Sequence, residues 1–563
     1  MIHFFLFFLL SFNYAIAHET RELSIEAPAT LEQLDQQGFH FSNVFNHSKV
    51  SNVNLYKSSK AYQTIVNSIS DDLDKIKKND KFISVTMSKK HRLFNKNWFK
   101  SKHANYDLVG IINRLDRADF YPSGCGETRF IYRLSYFVIQ TKTRSRMPLT
   151  FNLVYTNSKN DKKCQSLIAG WNKIKNLNGE KLIKFLISKK SPIHLSKLDL
   201  KTVELNMQVV RWPSSIRPDM GGYAEYFLRV FKKKTEDHFI LDHLENTPNI
   251  DLINSNPKLK SELLSWLIEK NNLKNLDNGI LVIPKKYLAK KATSVALHGR
   301  SREFNKPFNH IFKKTVFKKL NLNQFKSFKT PYALMKRLND LSCVGCHQGR
   351  TVAGFHFLGK DNKITSSVNS IYNSKSAHFI NDQMRRANYM QQFYKQAKDL
   401  GDRPFSVRSD FEKGKYGSHC TLNKDISFSK WTCNKGLTCY PFDTNKSDVL
   451  GTCYEEKVMN EGSPCKVGVI TRDHDPHRDR ILNVKKVKCR DDLICEDTSV
   501  GFPGGMCSGD CTKLSENGVC GSIAVLYGFN QCLSKNKPFD YCLIRNVRPG
   551  ALRGCNESSP CRD

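Results

Sequence analysis

Cysteine is nearly missing from the first 419 residues of this 563-residue chain, where only Cys125, Cys164, Cys343 and Cys346 occur. A disulfide scaffold is therefore excluded over that stretch, which is long enough to bury cores of its own. Acidic side chains run short as well: 53 Asp and Glu stand against 89 Lys and Arg, a formal charge of +36. No apolar run reaches the roughly 20 residues that a membrane-spanning helix needs. Between residues 20 and 255 there is no nucleotide-binding loop, nucleophile elbow or zinc-protease signature, so those chemistries have no footing there.

What is there begins with "MIHFFLFFLLSFNYAIAHE". The apolar run from Phe4 to Phe12 is too short to cross a bilayer, and Ala15-Ile16-Ala17 supplies a small-residue cleavage pattern. Residues 1–17 are thus expected to be a signal peptide cut after Ala17, and the mature chain to be periplasmic or secreted. The leader carries no Lys, Arg, Asp or Glu, so the basic excess stays with the mature protein. In an exported protein that excess points to an anionic surface, a polysaccharide or an acidic protein rather than to nucleic acid. The basic residues are spread along the chain, a pattern equally in keeping with a solvated surface.

Cysteine usage divides the chain. The other fourteen cysteines fall within residues 420–561, a density that marks a disulfide scaffold in an exported protein. The parity closes if Cys125 pairs with Cys164 and the fourteen pair among themselves, leaving Cys343 and Cys346 apart. The tail repeats itself: "GSHC", "CNKGLTC" and "GTC" ending at Cys453 are followed by "GSPC", "CRDDLIC" and "GMC" ending at Cys507. A last "CNESSPCRD" reads as a truncated variation on these tandem modules.

Upstream, "RFIYRLSYFVIQ" alternates Phe130, Tyr132, Leu134, Tyr136 and Val138, and "PLTFNLVYT" alternates Leu149, Phe151, Leu153 and Tyr155. Both predict antiparallel strands with one buried face. "VELNMQVVRW" and "YAEYFLRVF" predict a second pair, joined by a turn through Met220-Gly221-Gly222, with helices "CQSLIAGWNKI" and "GEKLIKFLI" in between. From 256 onward the periodicity turns helical in "NPKLKSELLSWLIEKNN", "TPYALMKRLNDLSC" and "HFINDQMRRANYMQQFYKQAKDLG". In the second of these Thr330 is the expected N-cap, Pro331 the first helical residue, and Leu334, Leu338 and Leu341 one apolar face running into Cys343. In the third, Ile380, Met384 and Ala387 align as the apolar face. The expected fold class is multidomain α+β: a β-rich α+β domain (18–255), a mainly helical region (256–415) and C-terminal disulfide-rich modules (416–563).

One motif carries chemistry. "DLSCVGCHQGR" sets Cys343, Cys346 and His347 in a C-x-x-C-H pattern. Two thiols one helical turn apart match the two vinyl groups on one edge of a porphyrin, and the adjacent imidazole reaches the iron from below. Three other uses of such residues compete: a redox dithiol at a helix start, half of a zinc site, and a local disulfide. The segment is expected at the end of a helix, and no second C-x-x-C or His pair stands at finger-like spacing.

The motif and its helical surroundings resemble c-type cytochromes, in which the attachment site ends the first helix of a small helical domain. The resemblance covers the motif and the residues around it, not the rest of the chain. It implies one covalent haem c on Cys343 and Cys346 with His347 as proximal iron ligand. His356, His378, Met384 and Met390 are the alternatives for the sixth iron position. It further implies an exported bacterial haem protein in electron transfer or haem-dependent oxidation, with a redox partner protein or small-molecule substrate. The competing expectation is a disulfide-rich secreted binding or adhesion protein without cofactor. Asp473, His474, Asp475, His477 and Asp479 in "RDHDPHRDR" suit either a metal ion or a charged solvated loop. Three sequons, at Asn46, Asn445 and Asn556, matter only in a glycosylating pathway.

Overall fold

The alternating apolar residues of the first half assemble one antiparallel sheet. The computed structural model describes residues 23–46, 55–79, 94–120, 124–138, 143–157, 164–213, 222–297, 300–301, 305–347, 356–357, 376–397, 400–408, 413–414, 418–441, 449–455, 466–470, 481–486, 488, 494–496 and 506–508. The expected leader, the Met220-Gly221 turn, the Asp473–Asp479 loop, the Asn445 and Asn556 sequons and the final "CNESSPCRD" lie outside the described residues.

The strands are β1 (Ser24–Ile25), β2 (Ala104–Arg114), β3 (Glu127–Val138), β4 (Thr143–Asn157), β5 (Leu198–Pro213), β6 (Gly222–Thr235), β7 (His238–Asp242), β8 (Lys291–Leu297) and β9 (Arg300–Ser301). They run in the order β1-β2-β3-β4-β5-β6-β8-β9, with β7 on β6, and every pairing is antiparallel. Phe130, Tyr132, Leu134, Leu149, Phe151, Leu153 and Tyr155 all enter the main core, as their alternation predicts. The helices Pro28–Leu34, Phe41–Asn46, Lys60–Asn79, Gln165–Lys175 and Gly179–Leu186 contribute the opposing residues, among them Leu34, Phe41, Ile65, Trp171 and Leu186. Phe41 is the hub, with ring centroids 4.5 Å from Tyr106, 5.2 Å from Tyr132 and 5.8 Å from Phe151. Cys125 bonds Cys164, tying the start of β3 to the head of a helix; closing a loop of that length is worth about 4 kcal/mol by chain entropy.

The other face of the sheet is also covered, and the candidate site is there. A bulge between Leu108 and Gly110 keeps Leu108 and Ile111 toward the main core and turns Val109 and Ile112 outward. Val109, Ile112 and Ile131 pack against Phe357 and Phe379, while Leu228 packs against Leu244 and Val344.

The sheet does not stop at residue 255. Strand β8 comes from the stretch expected to be mainly helical and pairs with β6 from Tyr223↔Leu297 to Arg229↔Lys291. The expected "NPKLKSELLSWLIEKNN" helix is two: Pro257–Leu267 and Lys270–Asn278. The break is held by Asn272, whose amide donates to Trp266 O at 2.7 Å. These helices and Pro331–Leu341 build a second core around Leu263, Leu276, Phe308, Phe328 and Leu338. That core also takes in Phe428 and Leu450 from the first cysteine module, whose strands His419–Thr421, Leu437–Pro441 and Leu450–Glu455 form a three-stranded sheet. Its disulfides are Cys420–Cys439 and Cys433–Cys453. Sulfurs of Cys420, Cys433 and Cys453 lie within 4.8 Å of one another, but all three are oxidised in these bonds and offer no thiolate to a metal. Among the described residues no helix is long and apolar enough to cross a membrane.

Candidate cofactor-attachment site

The helix leading to the motif is anchored by polar side chains as well as by leucines. Thr330 caps it, its hydroxyl accepting Ala333 N–H at 3.2 Å, and Pro331 opens it. Leu334, Leu338 and Leu341 are buried. Arg337, buried alongside them, donates to Leu276 O and Asp277 O, both at 3.0 Å, closing the carbonyl end of the preceding helix. Asp340 accepts the Ser406 N–H at 2.7 Å and the Ser406 hydroxyl.

The helix does not run into the cysteines as expected. Ser342 is extended (φ −76°, ψ 149°) and ends it. The motif then forms its own turn of helix, Cys343–His347. Ser342 staples the two: its hydroxyl donates to Asn339 O at 2.6 Å and accepts Gly345 N–H at 3.0 Å. The reversal brings Gly345 so close that a Cβ there would lie 1.9 Å from Asn339 O. A glycine is required at the centre of the C-x-x-C for that reason, independent of any ligand.

Cys343 shares its N–H between Thr247 Oγ1 (3.0 Å) and Glu245 O (3.3 Å), and its thiol donates to Glu245 O at 3.4 Å. Burial pushes both motif thiols up, Cys343 strongly, with Glu245 adding to the effect there. A redox dithiol at a helix start needs the opposite shift, so the site does not favour thiolate chemistry. Cys125, Cys164, Cys420, Cys433, Cys439 and Cys453 are all in disulfides, whereas Cys343 and Cys346 are unbonded. His347 has Nδ1 3.1 Å from the Ser294 hydroxyl on β8, and its ring centroid is 5.0 Å from that of Tyr226 on β6. Burial pushes its pKa down to about 3, so it is a neutral imidazole near pH 7, the form that ligates metals.

Around the motif runs a belt of ion pairs. Arg117 donates to Glu245 and, at 3.1 Å, to Glu127. Arg129 donates to Glu127 at 2.6 Å and to Glu204 at 2.8 Å. Arg114 holds Asp116 at 2.8 Å, Arg385 reaches that same Asp116 at 2.8 Å, and Asp382 accepts from Arg385 (2.6 Å) and Arg386 (2.7 Å). Burial alone would raise Asp382, but Arg385 and Arg386 overcome it and hold the carboxyl far below the usual range.

The belt's far end carries two of the proposed sixth ligands. His356 and His378 have ring centroids 5.3 Å apart. His356 Nδ1 is 2.7 Å from the Ser376 hydroxyl, and its carbonyl accepts Ser376 N–H at 2.9 Å. Ser376 also caps the Ala377–Tyr394 helix, accepting Phe379 N–H at 3.1 Å. Next to it, Phe357 fits against Gly110, where a Cβ would meet its ring at 3.1 Å. His356 is lowered by burial first, then by the fields of His378, Arg386, His347 and Arg114. The charge of Arg114 is felt at Cys346 too.

The methionines are elsewhere. Met384, expected on the apolar face of its helix, is 76% exposed. The buried side of that helix is instead Phe379, Asp382, Arg385, Arg386, Tyr389 and Met390, because the ion pairs to β2's end turn the charged residues inward. Met390 is in the main core with its sulfur 3.4 Å from Asn113 Nδ2. The structure thus groups Cys343, Cys346 and His347 on one turn and pairs His356 with His378, but brings neither methionine to them. The belt is the feature that motif reading misses; its signal is the acid–Arg spacing in Asp382, Arg385 and Arg386.

No family model matches this chain, and neither a curated protein nor a solved structure does.

Proposed function

We propose that the chain is an exported bacterial c-type haem protein that works in electron transfer, with one haem c on Cys343 and Cys346 and His347 as proximal iron ligand. The observation that carries this reading is the state of the cysteines. Two half-buried thiols, held toward the protonated form, sit one turn apart beside a neutral imidazole, while every other described cysteine side chain is in a disulfide.

The residues present fit the group. Each thiol adds across one vinyl C=C: a C–S bond forms at one carbon, the thiol hydrogen goes to the other, and no electron is gained or lost. Cys343 and Cys346 fix one porphyrin edge, and Val344, seated against Leu228 and Leu244, holds the turn on the sheet. Ser294, 3.1 Å from Nδ1 of His347, would fix the orientation of an imidazole that holds the iron through Nε2. Bound there, the haem iron supplies one-electron redox chemistry.

The test is spectral. Protein made in cells able to attach haem c is denatured, reduced and read for the haem–pyridine band, beside a Cys343→Ala/Cys346→Ala variant. Absorbance that survives denaturation in the parent and vanishes in the variant supports the reading. Absence of the band from the parent favours the cofactor-free binding protein.

A further inference from the structure

Independently of the haem reading, we infer that His356 and His378 are the protein ligands of a second metal site, one that takes a divalent ion of tetrahedral preference such as zinc.

The spacing of the two rings is the first ground. Their centroids are 5.3 Å apart. An imidazole nitrogen lies about 1.15 Å from its ring centre and about 2.0–2.1 Å from a bound zinc, so each centre stands about 3.2 Å from the ion. Two such rings are then about 5.2 Å apart at the tetrahedral angle, about 4.5 Å at a right angle and about 6.4 Å in line. The observed separation is the tetrahedral one. Plain ring packing spans about 4.5–7 Å, so a second ground is needed, and Ser376 supplies it.

That serine holds both histidines in place. Its hydroxyl is 2.7 Å from His356 Nδ1, and its N–H donates to His356 O at 2.9 Å. With Nδ1 as donor, Nε2 keeps its lone pair, and an outer partner of this kind sets the tautomer and direction of a ligating imidazole. The same hydroxyl accepts Phe379 N–H at 3.1 Å and so caps the helix whose first turn carries His378. The residue after each histidine braces the pair: Phe357 and Phe379 pack edge to face at 4.7 Å, with Phe357 seated against Gly110. Asp382, one turn beyond His378, is already taken by Arg385 and Arg386. The other two positions on the ion therefore fall to water or a small anion.

The full-length protein, freed of metal by a chelator, is dialysed against rising Zn²⁺ and assayed for bound zinc. One equivalent is expected in the parent and in Cys343→Ala/Cys346→Ala. In His356→Gln and in His378→Gln binding should weaken by more than the roughly ten-fold that losing an outer partner costs. Each glutamine variant is also melted in chelator and in zinc, which should raise the parent's midpoint and leave theirs unmoved. Cu²⁺ loaded into the Cys343→Ala/Cys346→Ala protein needs no histidine change, since pulsed EPR counts the coordinated imidazoles; two are expected. The inference is overturned by a parent that binds no zinc, by zinc retained in either glutamine variant, by zinc lost with the cysteines, or by a single imidazole on copper. A parent without covalent haem would overturn the haem reading and leave this one standing.

Discussion

Gly345 owes its identity to a neighbour that the motif does not contain. With Asn339 O 1.9 Å from where a Cβ would sit, Gly345→Ala forces the turn off the preceding helix. The expected cost is about 1–3 kcal/mol of overpacking, read as a lower thermal midpoint, with a lower yield of attached haem. Sequence alone does not announce this, because the clash arises from the reversal at Ser342. Thr330, by contrast, is legible as a cap from its type and place. Asp382 gives a second residue-scale prediction. An unfolded Asp titrates near 4, and the folded carboxyl lies well below that against Arg385 and Arg386. Its stabilisation is therefore complete above about pH 5 and drains away as pH falls through 4 toward the folded value. Asp382→Asn leaves two buried guanidiniums without their shared anion and should cost about 3–5 kcal/mol at pH 7. Denaturant melts should show the gap between variant and parent narrowing at pH 3; a gap unchanged by pH would contradict this account of the belt.

Strands are the elements best read from sequence. The period-two alternation of Phe130–Tyr136 and Leu149–Tyr155 specifies a face, and that face is the buried one. Helices are legible in position but not in detail. The Ala377–Tyr394 helix turns its Asp382–Arg386 side inward, since Asp382, Arg385 and Arg386 pair there with one another and with Asp116, and leaves Met384 outside. Apolar periodicity has no means of ranking an ion-pair network above a methionine. The tail repeat is an element-scale signal that the first module makes concrete. Its bonds join the first cysteine to the third and the second to the fourth, and Cys439 stands opposite Cys453. In the second copy Cys495 stands opposite Cys507 in the same manner; Cys465 and Cys489 lie outside the described residues. The repeat predicts Cys465–Cys495 and Cys489–Cys507, and peptide mapping under non-reducing conditions checks the pairing. Neighbour-to-neighbour bonds would contradict it.

Across the whole molecule the sequence marks composition more clearly than boundaries. The cysteine-rich tail is obvious from residue 420 onward, yet its first module shares a core with the helices before it. Phe428 and Leu450 are buried there, and Trp431 stacks edge-on to Phe405 at 5.2 Å. Ending the chain at residue 415 should therefore destabilise the motif's own helix, seen as a lower thermal midpoint; an unchanged midpoint would show the module to be independent. Likewise β8 crosses the expected division at 255 to complete the sheet and to bring Ser294 to His347. Contacts between distant stretches made this site, and periodicity within each stretch has no access to them.

Tryptic mass analysis of the protein tests the central claim most directly. Cleavage after Arg337 and Arg350 releases Leu338–Arg350, the peptide holding Cys343, Cys346 and His347. The account predicts this peptide carrying one added haem in thioether linkage to both cysteines. The unmodified peptide, from cells that attach haem c to a control protein, would contradict it.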